Sequence, residues 1–242
     1  MKKLVITQSN YIPWKGYFDL IAMADECILY DTVQYTKQDW RNRNLIKTKQ
    51  NTKWLTIPVA YHKTSQRICD THIAYTKWGR KHWNKITSAY GKTPYFPPFE
   101  SMFKQLYQEL SEEPRLGCVN ASFIRHINSI LGINTNIITT PEFIRSGEKN
   151  TDLITLCKMR GADTYLVAPK AKSYIDEAKF ADAGIRVEWM QYEGYPTYHQ
   201  MHPPFTHYVS IIDLLFNEGL NSKHYMLYSQ RQHVQTRIYA QI

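Results

Sequence analysis

KLVITQSNYIPWKGYFDLIAMADECILYD, residues Lys3 to Asp31, carries the pattern that decides the fold class. Lys3 to Gln8 is a short apolar run that ends in polar residues, as a buried strand does. Pro13 and Gly16 break the chain, and Tyr17 to Ala24 then spaces its apolar side chains as a short helix. Glu26 to Tyr30 is a second apolar run, stopping at Asp31. Strand, turn, helix and strand within about 30 residues predict a parallel βαβ unit. Ligands of open parallel sheets gather beyond the carboxyl ends of the strands, which puts Gln8, Tyr11 and Asp31 on a candidate site edge.

The same grammar returns further along. Cys118 to Leu131 reads as a helix stopped by Gly132, followed by a strand at Thr135 to Thr139. Asn150 to Met159 reads as a helix capped by Thr151 or Asn150 and ended by Gly161, with a buried strand at Thr164 to Ala168. Ala171 to Ala183 is expected to be helical, Gly184 to end it, and Ile185 to Met190 to be the next strand. Helix, glycine, strand in repetition predicts an α/β sheet without fixing its strand order.

Between these blocks the signals differ. Trp54 to Val59 is a strand candidate that Pro58 confines to an edge, and Asp70 to Ala74 is a weaker one. Trp78 to Tyr90 and Phe99 to Leu110 have helical spacing, and the prolines of Thr93 to Phe99 predict a turn between them. Tyr192 to Phe205 is expected to be an ordered surface loop, and Ser210 to Phe216 a helix stopped by Gly219. Helix content is expected in the polar tail from Ser222. With no flexible linker or repeat, the expectation is one domain over residues 1–242.

The chain has 242 residues with 43% hydrophobic and 21% charged, a soluble composition with a real core. Its longest aliphatic stretch, near Ile211 to Phe216, is far short of the roughly 20 residues a bilayer demands. The first residues hold no apolar segment of signal-peptide type. Cys27, Cys69, Cys118 and Cys157 contain no CxxC pair, so reduced thiols and a cytoplasmic setting are expected, and no metal site.

The formal charge is +9, and all of it belongs to residues 1–100, which hold 16 basic residues against 7 acidic ones. A basic field of this kind steers anions. Lys37 to Lys53, KQDWRNRNLIKTKQNTK, sets six basic residues and Trp40 against one acid, with Trp54 just beyond. Arginines interleaved with aromatics suit phosphates and bases, although no nucleic-acid-binding motif accompanies them. In an extended RNRN segment Arg41 and Arg43 would share one face, ready for bidentate capture of a phosphate, with Trp40 as a hydrophobic anchor.

Among titratable groups, His82 is a general-base candidate because its free pKa of about 6.5 lies near neutrality. Asp31 and Asp213 each lie in or beside an apolar segment, and a buried carboxylate needs a partner. An Arg of the RNRN cluster is the partner expected for Asp31. His199 and His202 have helical spacing that Pro203 and Pro204 oppose, and a ligand-binding loop suits them better than a metal. The nucleophile elbow, the P-loop and the dinucleotide glycine fingerprint are all absent.

Taken together, Gln8 with YIPWKGYFDLI (11–21), LYDTVQY (29–35), WRNRN (40–44), WLTIPV (54–59), WGRKHWNKI (78–86), GADTYLVA (161–168) and SIIDLLFNEG (210–219) resemble the WbqC-like family of bacterial proteins. The likeness runs over nearly the full length. It implies a setting in surface-polysaccharide gene clusters and transfer of an amino-acid or acyl group to a sugar. It brings no catalytic residues that carry over. The family often has a glycine-rich turn where this chain has Pro169, Lys170, Ala171 and Lys172, so lysine charge replaces a backbone phosphate cradle.

The first 30 residues also loosely resemble the nucleotidyltransferases, although their His-x-Gly-His signature is here Trp14, Lys15, Gly16 and Tyr17. The fold expected is therefore an open, mostly parallel Rossmann-like sheet with flanking helices, loosely nucleotidyltransferase-like. The leading functional expectation is a transferase acting on a nucleotide-linked sugar, with no cofactor specified. Arg41, Arg43 and Lys170 would hold phosphate, and Gln8, Tyr11 and Asn44 the sugar. Lys15, Gly16, Tyr17 and Gln34 would complete the site edge, and His82 or Asp31 would accept the proton. The alternatives are a nucleotidyltransferase-like enzyme, and a noncatalytic or nucleic-acid-binding module using residues 37–53.

Overall fold

A computed structural model describes residues 1–141, 143 and 145–230. The opening βαβ unit is formed by β1 (Lys3–Thr7), α1 (Lys15–Ala22) and β2 (Glu26–Leu29). An insertion follows: β3 (Arg43–Lys47), β4 (Thr52–Thr56), α2 (Trp78–Tyr90) and α3 (Phe96–Leu110). Then α4 (Leu116–Leu131), β5 (Asn136–Thr139), α5 (Lys149–Met159), β6 (Thr164–Val167), α6 (Glu177–Asp182), β7 (Arg186–Trp189) and α7 (Ile211–Glu218) complete the described chain.

Five strands form one sheet in the order β5-β2-β1-β6-β7, every pair parallel. The chain winds outward from β1 through β2 to β5, then returns to the other side of β1 for β6 and β7. The order reverses between β1 and β6, so the crevice beyond their carboxyl ends is the topological switch point.

Both faces of the sheet are covered. Val5, Cys27, Leu29 and Leu166 point into a core shared with α1, α2, α3, α4 and α7. Their neighbours Leu4, Ile28, Tyr165 and Val167 point into a second core with α5 and α6. Burial on both faces is why these strands read as apolar runs rather than alternating ones.

Several elements depart from expectation. Trp54 to Val59 does not join the main sheet; β4 pairs antiparallel with β3 as a separate hairpin closed by Thr48 N–H donating to Asn51 O at 2.9 Å. Asp70 to Ala74 makes only the single bridges Val59 to Ile73 and His72 to Arg115. The Ile73 and Ala74 amides end on Pro114 O and Pro58 O, and prolines have no N–H to answer with. Pro97 and Pro98 lie in the first turn of α3 rather than in a turn before it, where a missing N–H costs nothing.

Ala171 to Ala183 divides into a 3-10 turn, Pro169–Ser173, and α6. Asn150 holds the break, donating to Tyr174 O at 3.0 Å and accepting from Asp176 N at 3.0 Å. The cap of α5 is Glu148, whose carboxylate accepts from Asn150 N and Thr151 N, not Thr151 or Asn150. Ser210 caps α7, and Gly219–Tyr225 continues as 3-10 helix. The tail expected to carry helix from Ser222 does so where it is described, as 3-10 helix to Tyr225 and α-helix at 227–230, and its part beyond 230 lies outside the described residues.

Candidate functional site

Three segments meet at the carboxyl ends of β1 and β2: Gln8 to Asn10, Tyr30 to Asp31, and the turn Asp39 to Asn42. Asp31 is 8% exposed, and its Oδ1 accepts from Ser9 N at 2.9 Å. Its Oδ2 lies beside Gly117 in the first turn of α4, where a Cβ would stand 2.9 Å away. The helix N-terminus favours negative charge there, and only glycine leaves the carboxylate room. Burial pushes the Asp31 carboxyl above the usual carboxylate range, opposed by Ser9 and by the charge of Arg41.

Arg41 turns inward over this edge. Its Nη1 donates to Asn10 Oδ1, and Nη2 stands 3.5 Å from Asp39. The side chain is 15% exposed. Burial lowers its pKa, while Asp39, Tyr17, Asp31 and Tyr35 oppose that shift. The expected Asp31–Arg41 ion pair is not made, although each group feels the other's charge. Their shared neighbour Tyr17, buried itself, donates its hydroxyl to Gln8 O at 3.0 Å.

Asn120 of α4 fixes these loops together, and the sequence reading missed it. Fully buried, its Nδ2 donates to Arg41 O at 2.8 Å and to the carbonyl and hydroxyl of Ser9. Tyr11 N donates to Trp40 O at 3.0 Å, a second tie. An asparagine inside an amphipathic helix gives no local signal of a partner some 80 residues away, which is why only the fold reveals it. Tyr35, also missed, feels both Arg41 and Arg43, and burial raises its hydroxyl to about 12.

Other candidates sit elsewhere or do other work. Arg43 does not share a grip with Arg41; the RNRN segment bends at Arg41, and Arg43 opens β3 with its guanidinium 4.1 Å over the Trp54 ring. Trp40 is 42% exposed rather than a buried anchor. Asn44 is buried, and its Nδ2 braces Tyr11 O and Ile12 O at 3.1 and 3.0 Å. Ile12 needs that brace, with φ of 35° in a region β-branched residues avoid. Gln34 is exposed, in a single bridge to Arg67. Lys170 is exposed in the 3-10 turn after β6, across the switch point from Asp31.

His82 is sealed within the insertion. Its Nε2 must donate to Thr56 O, at 3.1 Å, so Nδ1 accepts from Tyr11 OH at 2.8 Å, which accepts from Tyr107 OH at 2.7 Å. Burial pushes its pKa down to about 4. Lys15 is buried with Nζ 4.3 Å from the Tyr195 ring centre, and desolvation lowers it to about 8. Gly16 gives the Trp14 ring a place that any Cβ would fill.

Asp213 accepts from Tyr198 OH at 2.6 Å and Gln200 Nε2 at 2.8 Å, pinning the 192–208 loop to α7. His202 donates to Ala89 O, and the His199 amide to Glu218. These three therefore belong to that loop's anchorage, away from the Asp31 edge. Among the described residues no cluster of His, Cys, Asp and Glu has the makings of a metal centre. None of the described helices is long and apolar enough to cross a membrane. Two depressions of about 310 and 320 Å³ lie elsewhere, one at the amino ends of β2 and β5 and one between α2 and α3.

Comparison with known proteins returns a match over residues 8–225 to the WbqC-like protein family. The chain is also 41% identical to an uncharacterized protein of Mycobacterium tuberculosis, over 96% of this chain and all of the relative. No solved structure matches.

Proposed function

The chain belongs to the WbqC-like protein family, and from that premise we propose a transferase that places an amino-acid or acyl group on a nucleotide-linked sugar or a related anionic surface-polysaccharide precursor. The observation that carries this reading is Arg41: a guanidinium drawn inward at the carboxyl end of β1, on Asn10, with Asp31 at the end of the next strand. A guanidinium drawn in and oriented by fixed partners is set to donate to a phosphate oxygen in place of water.

In this reading Arg41 takes the phosphate, and Asn10 and Gln8 orient the sugar. Lys170, across the switch point, adds charge on the phosphate side. Asp31 is the base, because burial raises its pKa and, among the described residues, its hydrogen bonds come from Ser9 alone, with no ion pair to hold it ionised. The acceptor nitrogen of the sugar attacks the carbonyl carbon of an activated acyl donor such as a thioester. The new C–N bond forms as the C–S bond breaks, sulfur leaves with the electron pair, and the amine proton passes to Asp31. His82, with both ring nitrogens engaged, supports the scaffold and takes no part in the transfer.

Incubating the protein with nucleotide-linked amino sugars and acyl thioesters, and following the sugar by mass spectrometry, tests the proposal. The expected result is one acyl mass on the sugar, lost by about 100-fold or more in Asp31→Asn. No mass gain with the wild-type protein, or undiminished transfer by the variant, refutes it.

A further inference from the structure

The β3–β4 hairpin carries a feature that phosphate capture by Arg41 leaves unused. Register pairs Arg43 with Thr56 and Leu45 with Trp54, so Arg43 and Trp54 are diagonal neighbours on one face. Trp40 joins them from the turn before β3. The two indoles lie 5.5 Å apart, tilted by 41°, and are 42% and 40% exposed. The Arg43 guanidinium covers Trp54 at 4.1 Å, and its buried Nε has no hydrogen-bond partner. Two tryptophans side by side at the surface form an apolar patch that ordinarily marks a binding face.

We propose that Trp40, Trp54 and Arg43 stack the heterocyclic base of the nucleotide whose phosphate Arg41 holds. This rests on the functional reading above and names the part of the substrate that lies outside the reaction. Three observations favour a planar base over a saturated sugar ring. Two indoles in tilted contact, with a guanidinium over one of them, present flat π surfaces that the π face of a heteroaromatic ring can cover. The segment that carries these rings is basic, with Lys37, Lys49 and Lys53 against Asp39 as its one acid, which favours an anionic ligand. Finally, Trp40 and Arg41 are adjacent in a turn held by Tyr11 N and Asn120 Nδ2, so base and phosphate contacts come from one fixed piece of backbone.

The test is a titration of the full chain, followed by tryptophan fluorescence and calorimetry, with UMP, AMP, UDP-glucose, ribose 5-phosphate and a fifteen-residue oligothymidylate. Nucleotides should quench indole emission and bind at least tenfold more tightly than ribose 5-phosphate. The double variant Trp40→Ala, Trp54→Ala should lose about 10- to 100-fold in nucleotide affinity, keep its ribose 5-phosphate affinity, and keep its unfolding midpoint. Phenylalanine at both positions should restore binding to within about threefold, since a ring still stacks.

Equal nucleotide binding by the alanine variant overturns the proposal, as does wild-type binding no tighter for nucleotides than for ribose 5-phosphate, or no nucleotide binding at all. An oligothymidylate bound over 100-fold more tightly than UMP overturns it too, in favour of a strand of nucleic acid. The transfer assay separates this proposal from the one it rests on. Transfer that ignores the tryptophans removes the stacking platform alone, and base-dependent binding without transfer removes the transferase alone.

Discussion

The Tyr107–Tyr11–His82 relay and the Asp31–Arg41 edge share a loop, since Tyr11 follows Asn10 directly, yet they are built on opposite terms. In the relay each group has its partner, from Tyr107 OH to Tyr11 to His82 to Thr56 O, and all is sealed under Trp78. At the edge the match is partial: Arg41 pairs with Asp39 and Asn10, while Asp31, buried, has hydrogen bonds from Ser9 and no ion pair among the described residues. A satisfied buried network is architecture, and a carboxylate kept buried at a cost is poised for chemistry. The comparison predicts that damage to the first removes stability, and damage to the second removes function.

The largest effect is expected at the lid of the relay. Trp78 is 1% exposed and packs on Tyr11, His82 and Tyr107. Trp78→Ala should cost about 3–5 kcal/mol in urea unfolding, while a folded fraction still binds nucleotide. A loss under about 1 kcal/mol would mean that the ring is not the keystone of that cluster.

Acid comes next. The folded His82 pKa of about 4 lies below its ordinary 6.5, so the unfolded chain binds the extra proton first. That contribution is fully present above pH 6.5 and is lost as pH falls through 4, on the order of 3 kcal/mol. Denaturation midpoints measured across this window should fall steadily in the wild type and more shallowly in His82→Leu, compared as slopes because the variant starts lower.

Tyr11→Phe isolates the relay's hydroxyl. It leaves His82 Nδ1 without its donor and Tyr107 OH without its acceptor, at an expected cost of about 1–3 kcal/mol with no change in ligand affinity. A loss of affinity as large as the loss of stability would erase the distinction between the two regions.

The smallest stability effect belongs to the functional side. The folded Asp31 pKa is raised, so the folded state binds its proton more readily than the unfolded chain. Its stabilising contribution is therefore present at low pH and lost as pH rises through the folded value. At neutral pH Asp31→Asn should leave the unfolding midpoint unchanged or slightly higher, while transfer disappears. The same raised pKa places the acid limb of the wild-type rate above the usual carboxylate range. A midpoint several degrees lower would recast Asp31 as structural.

How far these regions were legible in the sequence follows from the range of the interactions involved. The parallel sheet was readable because its strands are buried on both faces and separated by Gly-stopped helices, all local signals. Gln8 and Asp31 were placed at the site edge by the rule for strand ends alone. β3 was not readable: Arg43, Asn44 and Lys47 mask its alternation, and only pairing with β4 makes it a strand. The pairing of Arg43 with Trp54, the enclosure of His82 and the clamp at Asn120 are long-range, so spacing carried no trace of them. Lys15, expected to complete the site edge, is buried beneath Tyr195, which arrives 180 residues later.

On the functional side everything depends on Arg41, at the carboxyl edge of β1 and β2, being an anion-holding group. Calorimetric titration of inorganic pyrophosphate into the wild-type protein and Arg41→Ala tests it most directly. Saturable binding to the wild type is expected, with at least a 30-fold weaker affinity in the variant, whose unfolding midpoint stays near that of the wild type. Equal affinity in the two proteins, or no binding to either, contradicts it.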